Sequence, residues 1–168
     1  MADPAPLIEP LIPALRRHAY ALAHDHAAAD DLVQDTLERA LLHWSSRRTD
    51  GDVRAWLFTI LRNLHISRHR QAGRRGVDVA IDDVDPPETG ANQELAVEAH
   101  DVLAAVDQLP EEQKSLLLLV GVEDFSYDEA AKILGLPIGT VMSRLSRARK
   151  RLRSILEDGR VTLLRRVK

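Results

Sequence analysis

Apolar residues along the first 75 positions recur with the spacing of amphipathic helices. Pro13 suits the first turn of one helix, and Asp25 is placed to cap a second. A polar break at residues 45–51 precedes a third helix, which we expect to end near Gly73. The predicted inward-facing residues are Leu15, Ala19, Leu22 and Ala23 in the first helix, Leu32, Val33, Thr36, Leu37, Ala40 and Leu41 in the second, and Val53, Trp56, Leu57, Ile60, Leu61 and Leu64 in the third.

An acidic segment without helical period follows, and two adjacent prolines within it indicate a flexible linker. Beyond it, helices are predicted over residues 95–109 and 111–122, separated by Pro110. Few aromatic and β-branched residues, with much Ala, Leu and Arg, favour an all-α fold. We predict a three-helix domain over residues 7–75, an acidic flexible linker over 76–95, a second small helical domain over 96–158 and a basic C-terminal tail over 159–168.

The second domain carries the signals of a helix-turn-helix. Ser126 and Glu129 have the spacing of a capping box at the start of a short helix. Gly135 can adopt the positive φ that a sharp turn requires, and Pro137 suits the first turn of a last helix. That helix has a basic outer face, which is the geometry of a helix that enters a major groove. A purely structural helical hairpin is the alternative. The predicted inward-facing residues of the last helix are Val141, Leu145, Ala148, Leu152 and Ile155.

Charge is distributed unevenly, although 23 Lys and Arg nearly balance 26 Asp and Glu. Residues 62–76 contain five basic and no acidic residues, and residues 140–168 contain ten basic and two acidic ones. Between these blocks, residues 77–112 contain eleven acidic and no basic residues. Two basic blocks around an acidic one indicate a polyanionic partner that is bound at two places. We favour nucleic acid over the alternative of ordinary solvated helix faces.

Composition argues against several other classes. The chain has no cysteine, and its longest apolar run, residues 116–120, is far too short to span a membrane. No basic stretch precedes an apolar one at the start, so we expect a cytoplasmic protein without signal peptide or membrane insertion. His65 and His69 stand one helical turn apart without a third ligand, and no nucleotide-binding or hydrolase motif is present. We therefore expect no enzyme, no metal site and no cofactor.

Several stretches of the chain match one protein family. Residues 29–41 resemble the helix with which bacterial sigma factors bind core RNA polymerase, and residues 54–64 resemble the next helix, which grips the −10 promoter element. Residues 109–114, 127–135 and 139–149 resemble the C-terminal domain that reads the −35 element. With two such domains and none between them, the chain is similar to the extracytoplasmic-function (ECF) class.

The resemblance implies partners and site residues. Core RNA polymerase would be bound through its clamp helices and flap, and promoter DNA through both domains. The candidate residues for core polymerase are Asp31, Leu32, Gln34, Asp35 and Glu38. Those for the −10 element are Ser46, Arg47, Arg48, Arg54, Trp56, Arg62, Asn63 and Arg70, with residues 45–51 as the loop that receives a flipped base. Those for the −35 element are Thr140, Ser143, Arg144 and Arg147, with Arg149, Lys150 and Arg151 on phosphates.

The implied function is an alternative sigma factor that directs polymerase to a stress or envelope regulon and is controlled by an anti-sigma factor. The alternative is a stand-alone helix-turn-helix regulator, or a sigma-mimic adaptor that binds an anti-sigma factor. From the residues alone, a flexible turn is the preferred interpretation of the 45–51 loop. The acidic linker could be a nucleic-acid mimic in the RNA-exit path or a solubilising tether. Two residues depart from the family pattern: Met142 replaces a frequent Lys or Arg, and Ser67 a frequent Asp.

Overall fold

The computed structural model describes residues 2–75 and 93–166, and within these residues all regular structure is helical. This confirms the predicted all-α fold. The predicted acidic linker, apart from its last three residues, lies outside the described residues, as does the end of the predicted tail. The chain forms two compact units, one built mainly on its first four α-helices and the other mainly on its last four.

The first unit contains the three predicted helices and one short helix that the sequence pattern did not reveal. Four residues are too few to show a helical period, which is why the first element escaped prediction. The elements are α1 (Ala5–Ile8), a 3₁₀ turn (Glu9–Leu11), α2 (Ile12–Ala23), α3 (His26–Leu42), a second 3₁₀ turn (Trp44–Ser46) and α4 (Val53–Arg75).

Local capping explains where these helices begin and end. The backbone of His24 adopts a left-handed conformation, with φ of 56°, and ends α2. The predicted cap of α3 is present, because the Ala28 N–H donates to Asp25 Oδ2 at 3.0 Å. Asp52 serves α4 in the same way and accepts from the Arg54 N–H at 3.0 Å. Capping by Asp satisfies backbone donors that the first helical turn leaves without partners.

The core of the first unit lies where α3 packs against α2 and α4. Leu15, Leu32, Leu57 and Leu61 are buried there, as predicted. Phe58, which the apolar pattern did not assign to the core, is also buried, with its ring centroid 5.1 Å from that of the buried His18. The predicted core residues Val53, Trp56, Ile60 and Leu64 are only partly buried.

The second unit consists of α5 (Gln93–Asp107), α6 (Glu111–Leu117), a π-helical turn (Leu118–Val122), α7 (Tyr127–Leu134) and α8 (Ile138–Arg166). The sequence predicted one helix over residues 111–122, whereas its last five residues form the π turn. Both Leu118 and Leu119 are buried in this turn. The last helix also continues beyond residue 158, where we had placed the start of a tail.

An ion pair with one buried partner joins the first two helices of this unit. Lys114 Nζ lies 3.1 Å from Asp107 Oδ1, and only 6% of the Lys114 side chain is exposed, against 31% of the Asp107 side chain. Because the Lys114 charge is buried, losing Asp107 would weaken its compensation and destabilise the unit. No sequence signal indicated it, because the two residues belong to different predicted helices.

The helix-turn-helix follows its predicted design. Ser126 and Glu129 exchange hydrogen bonds of 3.1 Å between each side chain and the other's backbone N–H. Gly135 has φ of 64°, and the adjoining Leu136 N–H donates to the Ala131 carbonyl at 3.0 Å. This bond, with that from Gly135 N to Lys132 O, forms a Schellman cap.

Replacing Gly135 tests whether this turn depends on the positive φ. Gly135→Ala should lower the free energy of unfolding of the second unit by about 1 kcal/mol or more, because a Cβ is disfavoured in the left-handed region. Nothing lies within 4 Å of the added Cβ, so the effect comes from the backbone alone. Gly139→Ala, at an equally open helical position, is the control and should not destabilise. Urea unfolding measures both variants, and equal stability of the two would contradict the prediction.

Candidate polymerase-binding and DNA-binding surfaces

The outward side of α3 carries a polar stripe. Asp31, Gln34, Asp35 and Glu38 stand at positions i, i+3, i+4 and i+7, which share one helix face. Gln34 Nε2 donates to Glu38 Oε1 at 3.2 Å, and all of the stripe except the half-buried Asp35 is exposed. Leu32 does not belong to this surface. It is 1% exposed, so its side chain packs in the core and is not available to a partner.

Asp35 already has a partner within the unit. Its Oδ2 forms an ion pair with Arg68 Nη2 of α4. Arg68 belongs to the basic block of residues 62–76, and the structure directs it toward α3. The pair joins the acidic stripe of α3 to the helix that carries the candidate −10 residues.

The 45–51 loop has a defined set of contacts around Arg47. The guanidinium carbon of Arg47 lies 4.7 Å from the centroid of the Trp44 ring and 6.0 Å from that of Trp56. Arg47 Nη1 also donates to the carbonyls of Arg48 at 3.0 Å and Gly51 at 2.9 Å. The two indoles meet edge to face, with centroids 6.0 Å apart. The loop is therefore held by specific contacts. The interpretation of residues 45–51 as a flexible turn did not predict them.

The candidate −10 residues of α4 do not all lie on one side. Trp56, Asn63 and Arg70 stand seven residues apart and form one outward stripe, with Arg62 beside it and its Nη1 3.4 Å from Asn63 Oδ1. Arg54 lies on the other side of the helix, with its guanidinium 5.7 Å from the centroid of the Phe58 ring. Ser46 and Arg48 are exposed in the preceding loop, where Arg48 Nε lies 3.5 Å from Asp50 Oδ1.

The basic face of α8 is bounded by two contacts within its own unit. Arg144 Nη1 lies 3.1 Å from Glu112 Oε2 of α6, and Arg149 Nη1 donates to the Tyr127 hydroxyl of α7 at 3.4 Å. Between these margins, the exposed residues include Ser143, Arg147, Lys150 and Arg151, with Thr140 half-buried beside them.

Met142 contributes an apolar group to the same exposed face. Its side chain is 52% exposed, and it cannot make the charged contact that a Lys or Arg would make there. Ser67 is exposed on α4, and nothing in the structure explains why it replaces the Asp that is frequent in the family.

The described residues contain no group of three or more His, Cys, Asp or Glu placed to hold a metal ion. His65 and His69 have ring centroids 6.2 Å apart. Nor does any helix in the described ranges have the length and apolar character needed to cross a membrane.

Comparison with known families assigns each unit separately. A family model for region 4 of sigma-70 matches residues 99–152. A model for the sigma2 domain of PhyR matches residues 8–62. The two matches therefore cover the helix-turn-helix and the unit that carries the acidic stripe.

Two curated relatives match most of their own length. The ECF RNA polymerase sigma factor EcfG of Rhodopseudomonas palustris is 41% identical over 145 residues, which are 86% of this chain and 80% of the relative. The ECF RNA polymerase sigma factor SigL of Mycobacterium tuberculosis is 36% identical over 154 residues, which are 88% of this chain and 85% of the relative.

Solved structures show the same fold. The sigma factor RpoE of Bartonella quintana, in complex with the anti-sigma factor NepR, superposes with a TM-score of 0.78 at 37% identity over 91% of this chain and 98% of that one. CnrH, in complex with the cytosolic domain of CnrY, gives a TM-score of 0.69 at 27% identity over 90% and 86%.

A double-mutant cycle tests the ion pair between Asp35 and Arg68. We expect Asp35→Ala and Arg68→Ala to show a coupling free energy of about 0.5–1 kcal/mol, which is typical of partly exposed pairs and decreases with added salt. The control cycle pairs Asp35→Ala with Arg70→Ala, since Arg70 lies on the outward stripe and should show no coupling. Denaturant unfolding provides the free energies, and equal coupling in both cycles would argue against the pair.

Proposed function

The chain belongs to the ECF class of bacterial RNA polymerase sigma factors, and from this we propose which partner each of its two units binds. The first unit binds core polymerase through the acidic stripe of α3 and binds the −10 element through the 45–51 loop and the outward stripe of α4. The second unit binds the −35 element through α8. The observation that carries the proposal is the presence, in one chain and in order, of a sigma2-type unit and a region 4 helix-turn-helix.

The acidic stripe supports the polymerase contact on physical grounds. Three exposed side chains, Asp31, Gln34 and Glu38, stand on one helix face and are not needed for the core. Such a surface attracts a basic partner and accelerates its association. Leu32 supports this face from beneath, and we propose no direct contact for it.

We propose that the −10 element is captured by binding alone, with no covalent step by this chain. Unstacking a base costs a few kcal/mol, and aromatic and basic groups around a pocket recover that cost. Trp56, Asn63 and Arg70 offer a stacking surface, an amide and a cation on one stripe. Ser46 and Arg48 are exposed in the 45–51 loop, which precedes the N-terminal end of α4. Arg54, which faces Phe58, has the weakest structural support among the candidate −10 residues.

For the −35 element, we propose that Thr140, Ser143, Arg144 and Arg147 face base edges while Arg149, Lys150 and Arg151 contact phosphates. Arginine can bind guanine with two hydrogen bonds, which discriminates by about 1–3 kcal/mol. Phosphate contacts add affinity without reading sequence. Glu112 holds Arg144 at one margin of the basic face and so restricts where its guanidinium can reach.

Control by an anti-sigma factor extends the same proposal. The similar structures of RpoE and CnrH are complexes with NepR and CnrY, respectively, and their folds cover about nine tenths of this chain. We propose that a comparable antagonist binds this protein in the cytoplasm, shields the α3 stripe and is released by a stress signal.

One observation favours a second candidate function. The family model that matches the first unit is named for PhyR, and a PhyR structure appears with NepR among the similar folds at 18% identity. The chain could therefore act as an adaptor that binds an anti-sigma factor without binding polymerase. A stand-alone DNA-binding regulator is the other alternative, and binding to core polymerase separates both from the sigma factor.

Co-elution with bacterial core RNA polymerase tests the proposed docking surface. We expect the purified protein to co-elute with core enzyme and an Asp31→Ala/Glu38→Ala variant to lose at least about tenfold in affinity, because two charges facing a basic partner are removed. Asp35 is left intact, since its removal would leave Arg68 without its ion-pair partner. Asp30→Ala is the comparison variant: Asp30 is also exposed on α3, but it lies at the edge of the stripe, one turn before Gln34, and faces Arg16, so its removal should cost less affinity.

Three outcomes would contradict the proposal. If the wild-type protein does not co-elute but binds duplex DNA by itself, it is a stand-alone regulator. If it binds only an anti-sigma factor, it is an adaptor. Equal binding by the double variant and the Asp30 control would place the polymerase contact elsewhere.

The −35 assignment predicts different effects for two basic residues of α8. With promoters selected from a random duplex library by wild-type holoenzyme, Arg144→Ala should relax sequence preference at one or two −35 positions. Lys150→Ala should weaken all promoters alike and reduce the slope of log affinity against log salt concentration by about 1. Filter binding over a salt series measures both effects. The same relaxed preference in both variants would contradict the division into base and phosphate contacts.

A further inference from the structure

Arg47 has more contacts inside the protein than its predicted role on DNA requires. Its guanidinium lies over the Trp44 ring, close to Trp56, and donates to two carbonyls of its own loop. These contacts connect the turn after α3, the loop itself and the first turn of α4. The neighbouring Arg48 is held much less firmly within the protein. Its side chain is 87% exposed and lies near that of Asp50.

We propose that Arg47 is a positioning residue that holds the 45–51 loop in its shape, and that it does so instead of binding DNA itself. Ser46 and Arg48 are among the exposed side chains that the loop then presents outward. The geometry stands on the structure alone. Its consequence for promoter opening rests on the function proposed above.

The chemistry of this position suits arginine and not lysine. A guanidinium is planar, so it can stack on an indole through its face while its N–H groups donate in the plane. Arg47 uses one nitrogen, Nη1, for both the Arg48 and the Gly51 carbonyls, and these two residues bracket the last part of the loop. A lysine ammonium keeps the charge but cannot combine flat stacking with this pair of bonds.

The other contacts of the loop are local. The Ser46 and Arg47 N–H groups donate to the His43 and Trp44 carbonyls at 3.1 and 3.3 Å. Ser46 Oγ donates to the His43 carbonyl at 2.9 Å, and the Gly51 N–H donates to the Arg48 carbonyl at 3.2 Å. The Arg48 carbonyl therefore accepts from both the Gly51 N–H and the Arg47 side chain. A loop shaped before binding avoids part of the entropy cost of ordering it around a captured base.

Tryptophan fluorescence provides a direct test, because the only two tryptophans of the chain, Trp44 and Trp56, both belong to this cluster. We expect Arg47→Lys and Arg47→Gln each to change the intensity and shift the emission to longer wavelength as the rings gain contact with water. Arg48→Ala should leave the emission unchanged. Far-UV circular dichroism checks that all three variants keep their helices, and this arm requires neither polymerase nor promoter.

Promoter opening then separates positioning from a contact with DNA. Holoenzymes that contain Arg47→Lys or Arg47→Gln should open the selected promoter about tenfold more slowly. Neither side chain can make all of the contacts that Arg47 makes within the loop. Their affinity for core polymerase should equal that of the wild-type protein. Normal opening by Arg47→Lys together with slow opening by Arg47→Gln would overturn the proposal, because charge alone would then suffice, as in a phosphate contact.

The outcomes keep this inference distinct from the proposed function. Unchanged emission in both Arg47 variants would overturn the inference, whatever the protein binds. Failure of the wild-type protein to bind core polymerase would overturn the proposed function, while a shifted emission in the variants would still support the loop geometry.

Discussion

Leu32, Leu57 and Leu61 are almost completely removed from solvent where α3 packs against α2 and α4. Burial of each such side chain stabilises the fold by about 1.5–3 kcal/mol. The same contact decides which sides of the helices remain for partners. Once Leu32 points inward, helical geometry directs Asp31, Gln34 and Glu38 outward, and the acidic stripe of α3 follows from the core.

Several charged side chains are committed to contacts within the protein before any partner binds. Asp35 pairs with Arg68 and Arg144 with Glu112, and both pairs are partly exposed. Pairs of this kind contribute at most about 1 kcal/mol to stability. Their effect is mainly to orient the side chains. The pair of Lys114 and Asp107 is different, because Lys114 is buried and loss of the pair would weaken the compensation of a charge inside the protein.

Recognition in an ECF sigma factor is divided between two small units, each with its own core. Joining two binding units in one chain makes the second contact intramolecular, so that each unit can bind weakly while the whole binds well. Weak binding by each unit agrees with the basic face of α8, because most of its residues are exposed side chains. The acidic stripe of α3 and the basic face of α8 belong to different units. The negative and the positive surface are therefore carried by separate parts of the chain.

Most of the helices and both kinds of surface could be predicted from the amino-acid sequence. Helical periodicity, the cap at Asp25, the capping box of Ser126 and Glu129 and the positive φ of Gly135 are local features, and each depends on residues only a few positions apart. The candidate site residues of α3 and α8 could be named for the same reason, with the family resemblance supplying their roles. Contacts between distant residues became visible only in the folded structure. It buried Phe58, turned Arg68 toward Asp35 and Arg54 toward Phe58, and placed the Arg47 guanidinium over the Trp44 ring and near Trp56, because side-chain partners across separate helices leave no periodic trace in a single sequence.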